Sequence, residues 1–485
     1  VRTTLGSRKE RAVLLWSILA LLFIVHGLGL WMAIHVIMNG RTAQGTIAWV
    51  MALIFMPWLA LPLYLVLGDY KFVGYQRGTP GGTREIDRIA QTLTQSLRDF
   101  AQRDDAQAAI DPTLERLAQF PATQGNQVTL LIDGAATFEA ITEAIDAATH
   151  YILIEFFTIR DDGLGQRVQR ALIAARVRGV RVHLLYDEFG SSTLPGSYLK
   201  VLTDAGCECT GFRTKTTRRR PFRINFRNHR KIVIVDGRVA FVGGHNIGDE
   251  YLGLDKVLTP WRDTHVAIRG PAVQCVQMAF AESWFWAKDC VPDLDWSPQR
   301  VDSANATVLI VPSGPADDLE TGSLLFTRLA SSAKATLWLS TAYFVPDDSF
   351  VSALQLAALR GADVRLMIPE ISDNRATKLA SYTFYEELIP VGVRILTYKP
   401  GFLHQKLALA DSHVCVGSAN LDNRSFRLNF EISVVVCDQQ FTSDVAAMLA
   451  NDISNTQLAQ PSDFAARSYW FQFCCRVARL MAPVL

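Results

Sequence analysis

Two long uncharged runs open the chain. Residues 12 to 40 contain nothing ionisable except His26 and His35, and residues 42 to 68 contain no charged residue at all. Each run exceeds the roughly 20 apolar residues that span a bilayer, so the pattern predicts two membrane helices joined by a turn at Arg41, the second kinked at Pro57 and Pro62. A cleaved leader would need a small-residue exit of the A-x-A type, which is missing before Arg41. Arg2, Arg8, Lys9 and Arg11 precede the pair and Lys71 and Arg77 follow it, so both ends face the cytoplasm, and with them the rest of the chain.

Gly78 to Gly82 then reads as a break. Residues 84 to 120 place Ile89, Leu93, Leu97 and Phe100 at the spacing of a surface helix. From residue 126 the pattern repeats at long range. Val128–Ile132 parallels Val308–Val311, and Tyr151–Phe157 parallels Thr336–Leu339. The helical runs Gln166–Arg178 and Phe350–Arg360 follow, and then the apolar strands Gly179–Tyr186 and Gly361–Ile368. Strand, helix, strand in both halves predicts an α/β fold built twice on parallel or mixed sheets. The expected organisation is a membrane hairpin (1–69), a linker with a surface helix (70–125), two similar halves (126–300 and 301–455) and an amphipathic tail (456–485). The tail sets Trp470, Phe473, Val477 and Leu480 among Arg467, Arg476 and Arg479, a pattern that suits either a membrane surface or packing on the domain.

Composition changes this picture little. The 485 residues suffice for two cores, and a net charge of +1 gives no hint of a nucleic-acid partner. The eight cysteines form no C-x-x-C pair, which argues against a zinc ribbon, a redox dithiol or a secreted disulfide framework and favours a reducing compartment.

The chemistry is carried by a stretch present twice. His229-Arg230-Lys231 runs on to Asp236, and His404-Gln405-Lys406 runs on to Asp411, both fitting H-x-K-x4-D. On a strand His and Lys two residues apart share a face. The imidazole can attack phosphorus or carry a proton, and the ammonium can neutralise a phosphoryl oxygen. One half supplies one of each, so two halves folded together would present two of each to one phosphate. Asn246 and Asn420, behind Gly243-Gly244 and Gly417-Ser418, are further donors. Asp263 and Glu431, each opening an equivalent later strand, are candidates to orient the imidazoles. Asp236 and Asp411 belong to the motif but sit at the far end of its strand, where holding a turn or joining the halves suits them better than touching substrate. His245 and His265 have no counterparts in the second half and read as structural, so no metal site is expected. Roughly 11 extra residues precede the first motif. They are basic, with Arg218, Arg219, Arg220 and Arg223 interleaved with aromatic and apolar side chains, and are expected to meet an anionic lipid headgroup.

The two motifs, with Gly243-Gly244-x-Asn246 and Gly417-Ser418-x-Asn420 behind them, resemble the phospholipase D superfamily. The paired membrane helices, the Arg218–Arg230 region, Trp261-Arg262-Asp263-Thr264-His265-Val266 and the segment Gly417–Ser425, including Ser418, further resemble its bacterial cardiolipin synthases. That resemblance implies two phospholipase D-like halves related by a pseudo-twofold axis, with the active site between them. It also implies transfer of a phosphatidyl group from one phosphatidylglycerol to another through a phosphohistidine, His229 being the first choice as nucleophile and His404 as acid/base. No cofactor is implied, and the place is the bacterial inner membrane. A different acceptor alcohol, lipid hydrolysis, a membrane-tethered nuclease and a non-catalytic lipid-binding scaffold are the alternatives; oligomeric state is not legible.

Overall fold

A computed structural model describes residues 8–40, 43–68, 82–102, 110–212 and 226–482. The chain divides into an N-terminal unit and a larger unit that carries both motifs.

In the N-terminal unit the first uncharged run forms the helix Arg8–Asn39. Among the described residues it is the one helix long and apolar enough to cross a membrane. The second run differs from expectation. Instead of one kinked helix it forms two, Ala43–Phe55 and Pro57–Leu67. Proline pushes the residue before it out of the helical region, and Met56 accordingly lies at φ −136°, ψ 53°. Pro57 then opens the second piece, where its missing N–H is no loss. Ala33, Val36, Leu53, Ala60 and Tyr64 form the small buried seam between the long helix and the two short ones. Gly29 permits the close approach, because a Cβ there would meet the Leu53 carbonyl oxygen at 2.5 Å and the Pro57 Cβ at 2.8 Å. The outward side chains stay apolar and exposed, Phe23 and Met38 among them.

The larger unit is organised by a sixteen-stranded mixed sheet. At its centre Thr123–Ile132 and Ala306–Ser313 pair antiparallel, Thr123 opposite Val308. Outward from each lies the strand that follows a carboxylate or carries it, Thr264–Arg269 or Asn429–Cys437. Next come Val239–Gly243 or His413–Gly417, and then the motif strand, Ile232–Val235 or Lys406–Ala410. Tyr151–Phe156 or Thr336–Thr341 follows antiparallel, and the outer pairs, Arg181–Tyr186 with Glu208–Gly211 and Asp363–Pro369 with Arg394–Tyr398, are parallel. The order on one side of the central pair repeats on the other. This is the duplicated α/β fold that the sequence pattern predicts.

The strands read as unbroken apolar runs because helices cover the sheet. In the first half Phe138, Ile141, Leu164, Val168 and Leu172 pack against Ile152, Ile154, Val182 and Val233. In the second, Leu325, Phe326, Phe350 and Leu354 pack against Leu337, Leu339, Val364 and Leu366. The helix Val273–Lys288 is buried around nearly its whole circumference. The expected surface helix is Gly82–Leu97, with Ile86, Leu93 and Leu97 turned inward. It ends in a short turn at Arg98–Phe100 instead of running on. The tail forms the helix Tyr469–Leu480, packed through Cys475 and Ala478, with Tyr469, Trp470 and Leu480 exposed. All eight cysteines are free.

Candidate active site

Each motif histidine is fixed by the opposite half. Ahead of His229, Arg227–Asn228 runs parallel to the start of Asn429–Cys437, with Arg227 opposite Asn429. Ahead of His404, Phe402–Leu403 runs parallel to Trp261–Arg262. The His229 N–H donates to the Phe430 carbonyl at 2.9 Å and the His404 N–H to the Arg262 carbonyl at 2.8 Å. Both histidines therefore sit on backbone stitched across the pseudo-twofold interface.

Their side chains cross in the same way. His229 Nδ1 lies 2.9 and 3.0 Å from the two oxygens of Glu431, and His404 Nδ1 lies 2.7 Å from Asp263 Oδ2. The sequence offers one carboxylate per half; the fold gives each half's carboxylate to the other half's imidazole. A carboxylate only accepts, so it holds the proton on Nδ1 and leaves the Nε2 lone pair free. Lys231 Nζ donates to the His229 carbonyl at 2.6 Å, and Lys406 Nζ to the His404 carbonyl at 2.5 Å. Lys406 Nζ also lies 3.1 Å from His404 Nε2. Two imidazoles, two ammonium groups and two carboxylates thus meet in one largely buried centre.

Burial dominates its electrostatics. It pushes His229 and His404 down to about 4, Lys231 down to about 7 and Lys406 down to about 8. Burial alone would raise the two acids, but Lys406, His245 and His404 hold Asp263, and His229 and Lys231 hold Glu431, below the ordinary carboxylate range. The resting site pairs ionised carboxylates with lysines and keeps the imidazoles neutral. For a phosphodiester substrate, kcat/KM should fall above pH 7 to 8 as Lys231 and Lys406 lose protons, and fall again near pH 4 as the imidazoles gain them. A bound phosphodiester favours the ammonium forms, so the basic limb of kcat should lie above that of kcat/KM. Coincident limbs in a pH-rate profile would rule out the lysines as the titrating groups.

Ser418 Oγ donates to Glu431 Oε2 at 2.5 Å and accepts from the Ile432 N–H at 3.0 Å. Gly244 occupies the equivalent place in the first half, where a Cβ would run into the Asp263 carboxylate. The shorter acid goes with glycine and the longer one with serine. Asn246 accepts from the Thr158 N–H at 3.1 Å and donates to the Tyr251 hydroxyl at 2.8 Å. It supports the Tyr251 ring, 6.3 Å from that of His404, and is not a free donor. The Asn420 N–H donates to Ser425 Oγ at 3.1 Å, while its buried Oδ1 has no partner among the described residues.

Asp236 and Asp411 are not brought to the histidines. Both adopt left-handed backbone, φ 53° and 50°, at the far end of the motif strand. Asp236 accepts from the N–H groups of Thr149, His150 and Tyr151, and Asp411 from those of Lys334, Ala335 and Thr336. Each stays within its own half, so they hold turns and do not join the halves. His245 and His265 lie buried with their Nδ1 atoms 3.1 Å apart. Arg218, Arg219, Arg220 and Arg223 lie outside the described residues.

Sequence reasoning missed the clamp around Asp263. Arg262 bonds both oxygens of Asp452, from the second half, at 2.8 and 2.9 Å, and Asp133 at 2.9 Å. Gln405, between His404 and Lys406, reaches Thr264 and Asp452 at 3.1 Å each. Arg262 was visible as the neighbour of Asp263, whereas Asp452, near the end of a helix, carried no signal.

A family model described as "Cardiolipin synthase, PLD-like domain" matches residues 141–282 and 326–453, and one for the phospholipase D-nuclease N-terminal region matches residues 27–68. Cardiolipin synthase A of Pseudomonas aeruginosa is 44% identical over 490 residues, covering 100% of this chain and 99% of that protein. Cardiolipin synthase A of Pseudomonas fluorescens is 43% identical over 472 residues, covering 96% and 98%. Among solved structures, the phosphatidylserine synthase of Haemophilus influenzae superposes with a TM-score of 0.58 at 14% identity, covering 82% of this chain and 100% of that one, a likeness of fold alone. With its duplicated fold, its paired motifs and this similarity along its whole length, the chain belongs to the cardiolipin synthase family of phospholipase D-like proteins.

Proposed function

We propose that the chain makes cardiolipin, transferring the phosphatidyl group of one phosphatidylglycerol to the terminal hydroxyl of a second and releasing glycerol. The observation that carries this reading is the crossed pair of His–carboxylate contacts around two buried lysines. Nε2 of one imidazole attacks phosphorus, a P–N bond forms, and the P–O bond to the headgroup glycerol breaks. The other imidazole, which takes up a proton when the anionic phosphodiester binds, gives that proton to the departing oxygen. The second phosphatidylglycerol then enters, its hydroxyl passes its proton to that now neutral imidazole and attacks phosphorus, and the P–N bond breaks. Lys231 and Lys406 neutralise the non-bridging oxygens throughout. Each imidazole has its Nδ1 on a carboxylate of the opposite half, so the sequence of steps can be written from either side.

A phosphohistidine that waits for a lipid alcohol must be kept from water. His404 has Trp261 and Phe402 within 5.0 and 5.5 Å, and His229 has Phe157 within 5.0 Å, centroid to centroid. The test is to supply the detergent-solubilised full chain with labelled phosphatidylglycerol and a chelator. Cardiolipin and glycerol in equal amounts are expected. Phosphatidic acid alone would make it a hydrolase, and cleavage of DNA or RNA without any lipid product would move it to another substrate class.

The membrane reading belongs here too. Ala43–Leu67 is broken but uncharged, and at about 1.5 Å per residue it is long enough to return across a bilayer. Two crossings leave the catalytic unit on the cytoplasmic side of the bacterial inner membrane, and sharing a bilayer with the lipid confines the search to two dimensions. In a cysteine-free background, a membrane-impermeant thiol reagent should label the exposed position Asn39→Cys in intact cells but Ser96→Cys only after lysis. Labelling of both, or of neither, in intact cells would contradict the hairpin.

A further inference from the structure

The pseudo-twofold fails beside the histidines. Two residues ahead of His404 stands Phe402, fully buried, its ring 4.9 Å from that of its register partner Trp261. Two residues ahead of His229 stands Arg227, whose register partner is Asn429. One side of the centre is thus an aromatic wall, and the other presents a guanidinium and an amide.

Both polar groups have unused capacity. Arg227 is only 9% exposed, yet among the described residues it makes no ion pair, and its Nε is buried without a partner. Its guanidinium lies 3.8 Å over the exposed Phe189 ring, and its hydrogen bond to the Phe226 carbonyl is a long one, 3.4 Å. Asp187, whose field it feels, is already bonded by the N–H groups of Phe189, Gly190 and Asn228 at 2.9 Å each. Asn429 gives Nδ2 to Glu431 at 3.1 Å, and among the described residues its buried Oδ1 has no donor. Residues two apart on a strand share a face, which puts Arg227 beside His229 and Asn429 beside Glu431. A desolvated cation without a bonded counter-ion is unfavourable, and an anionic ligand relieves it.

We propose that Arg227 and Asn429 form a subsite for the phosphoglycerol of the acceptor lipid, the guanidinium holding the acceptor's own phosphodiester and Asn429 Oδ1 accepting from its secondary hydroxyl. The inference rests on the cardiolipin reading above. Cα atoms two residues apart on a strand are about 6.6 Å apart. The two phosphorus atoms of a product joined through glycerol are separated by a comparable span, on the order of 7 Å. Phe402 at the equivalent position denies the other side such a site, so the acceptor is held in one orientation.

Two acceptors separate this role from a structural one. The full chain in mixed micelles is given phosphatidylglycerol as donor, with either phosphatidylglycerol or labelled free glycerol as acceptor; the second reaction is headgroup exchange through the same histidines and lysines. Arg227→Gln should lower kcat/KM for cardiolipin formation about 10- to 100-fold, the range for one lost charged hydrogen bond, and leave exchange nearly unchanged. Arg227→Lys should recover part of the loss. A parallel fall in both reactions would overturn the proposal. Should Arg227→Gln not fold, Arg227→Lys carries the test, with cardiolipin formation reduced more than exchange. A wild-type chain that exchanges glycerol but makes no cardiolipin would instead sink the functional reading, before any variant is compared.

Discussion

His229→Ala and His404→Ala should each bring turnover below detection, a loss on the order of 10⁴-fold or more, because in the proposed mechanism each removes either the nucleophile or the group that carries the proton. The double variant should be no worse than either single one, since residues that act as a unit do not add. Both proteins should remain folded. Glu431 keeps Ser418 and Asn429 as donors, and Asp263 keeps the Thr264 N–H, so neither buried carboxylate is stranded. The measurement is cardiolipin formation alongside thermal unfolding of the solubilised chain. Substantial activity in either variant would refute a single centre shared by the halves. Mixing the two inactive proteins adds a second check: both motifs converge within one chain, so no activity should return.

Much of this arrangement was legible in the sequence. The duplicated halves showed because each strand is buried on both faces and reads as an apolar run, so Val180–Tyr186 and Val364–Ile368 could be matched without an alignment. The motifs showed because His and Lys at a spacing of two are meaningful on a strand. What did not show was who holds whom. The His–carboxylate pairs span 202 and 141 residues, and within-half and crossed pairing look the same in a linear chain. Asp236 and Asp411 were ambiguous for a different reason. They belong to the motif by spacing, but a strand carries its last residue away from its first, so each ends up capping a turn in its own half. At Pro57 the sequence predicts a kink in one helix and the structure has a break between two, because proline restricts the residue before it as well as lacking its own N–H. Arg227 read as one more cation in a basic insertion. Only the register with Asn429 separated it from that run.

The crossed pairs predict an asymmetry in how much each carboxylate matters. Asp263→Asn should lower kcat by about 10³- to 10⁴-fold, the loss seen when an acid that sets an imidazole tautomer becomes an amide. The reason is local. Asp263 Oδ1 accepts from the Thr264 N–H at 2.8 Å and Oδ2 faces His404 Nδ1 at 2.7 Å. In the asparagine variant the amide oxygen keeps the backbone donor, and the NH₂ turns to the imidazole. His404 must then carry its proton on Nε2, the atom that has to attack or accept. Glu431→Gln meets a softer environment. Asn429 Nδ2 approaches Oε1 at 3.1 Å, His229 Nδ1 spans both oxygens at 2.9 and 3.0 Å, and Oε2 is also bonded by the Ser418 hydroxyl, which can rotate and accept instead. The glutamine oxygen can therefore stay with His229 and its NH₂ can bond Ser418, preserving the tautomer and losing only the charge, for a fall of about 10- to 100-fold. Removing that freedom should remove the difference: with Ser418→Ala, Glu431→Gln should fall toward the Asp263→Asn level. Equal losses in the two single variants, or a larger loss for Glu431→Gln, would show that charge and not tautomer is what the carboxylates supply.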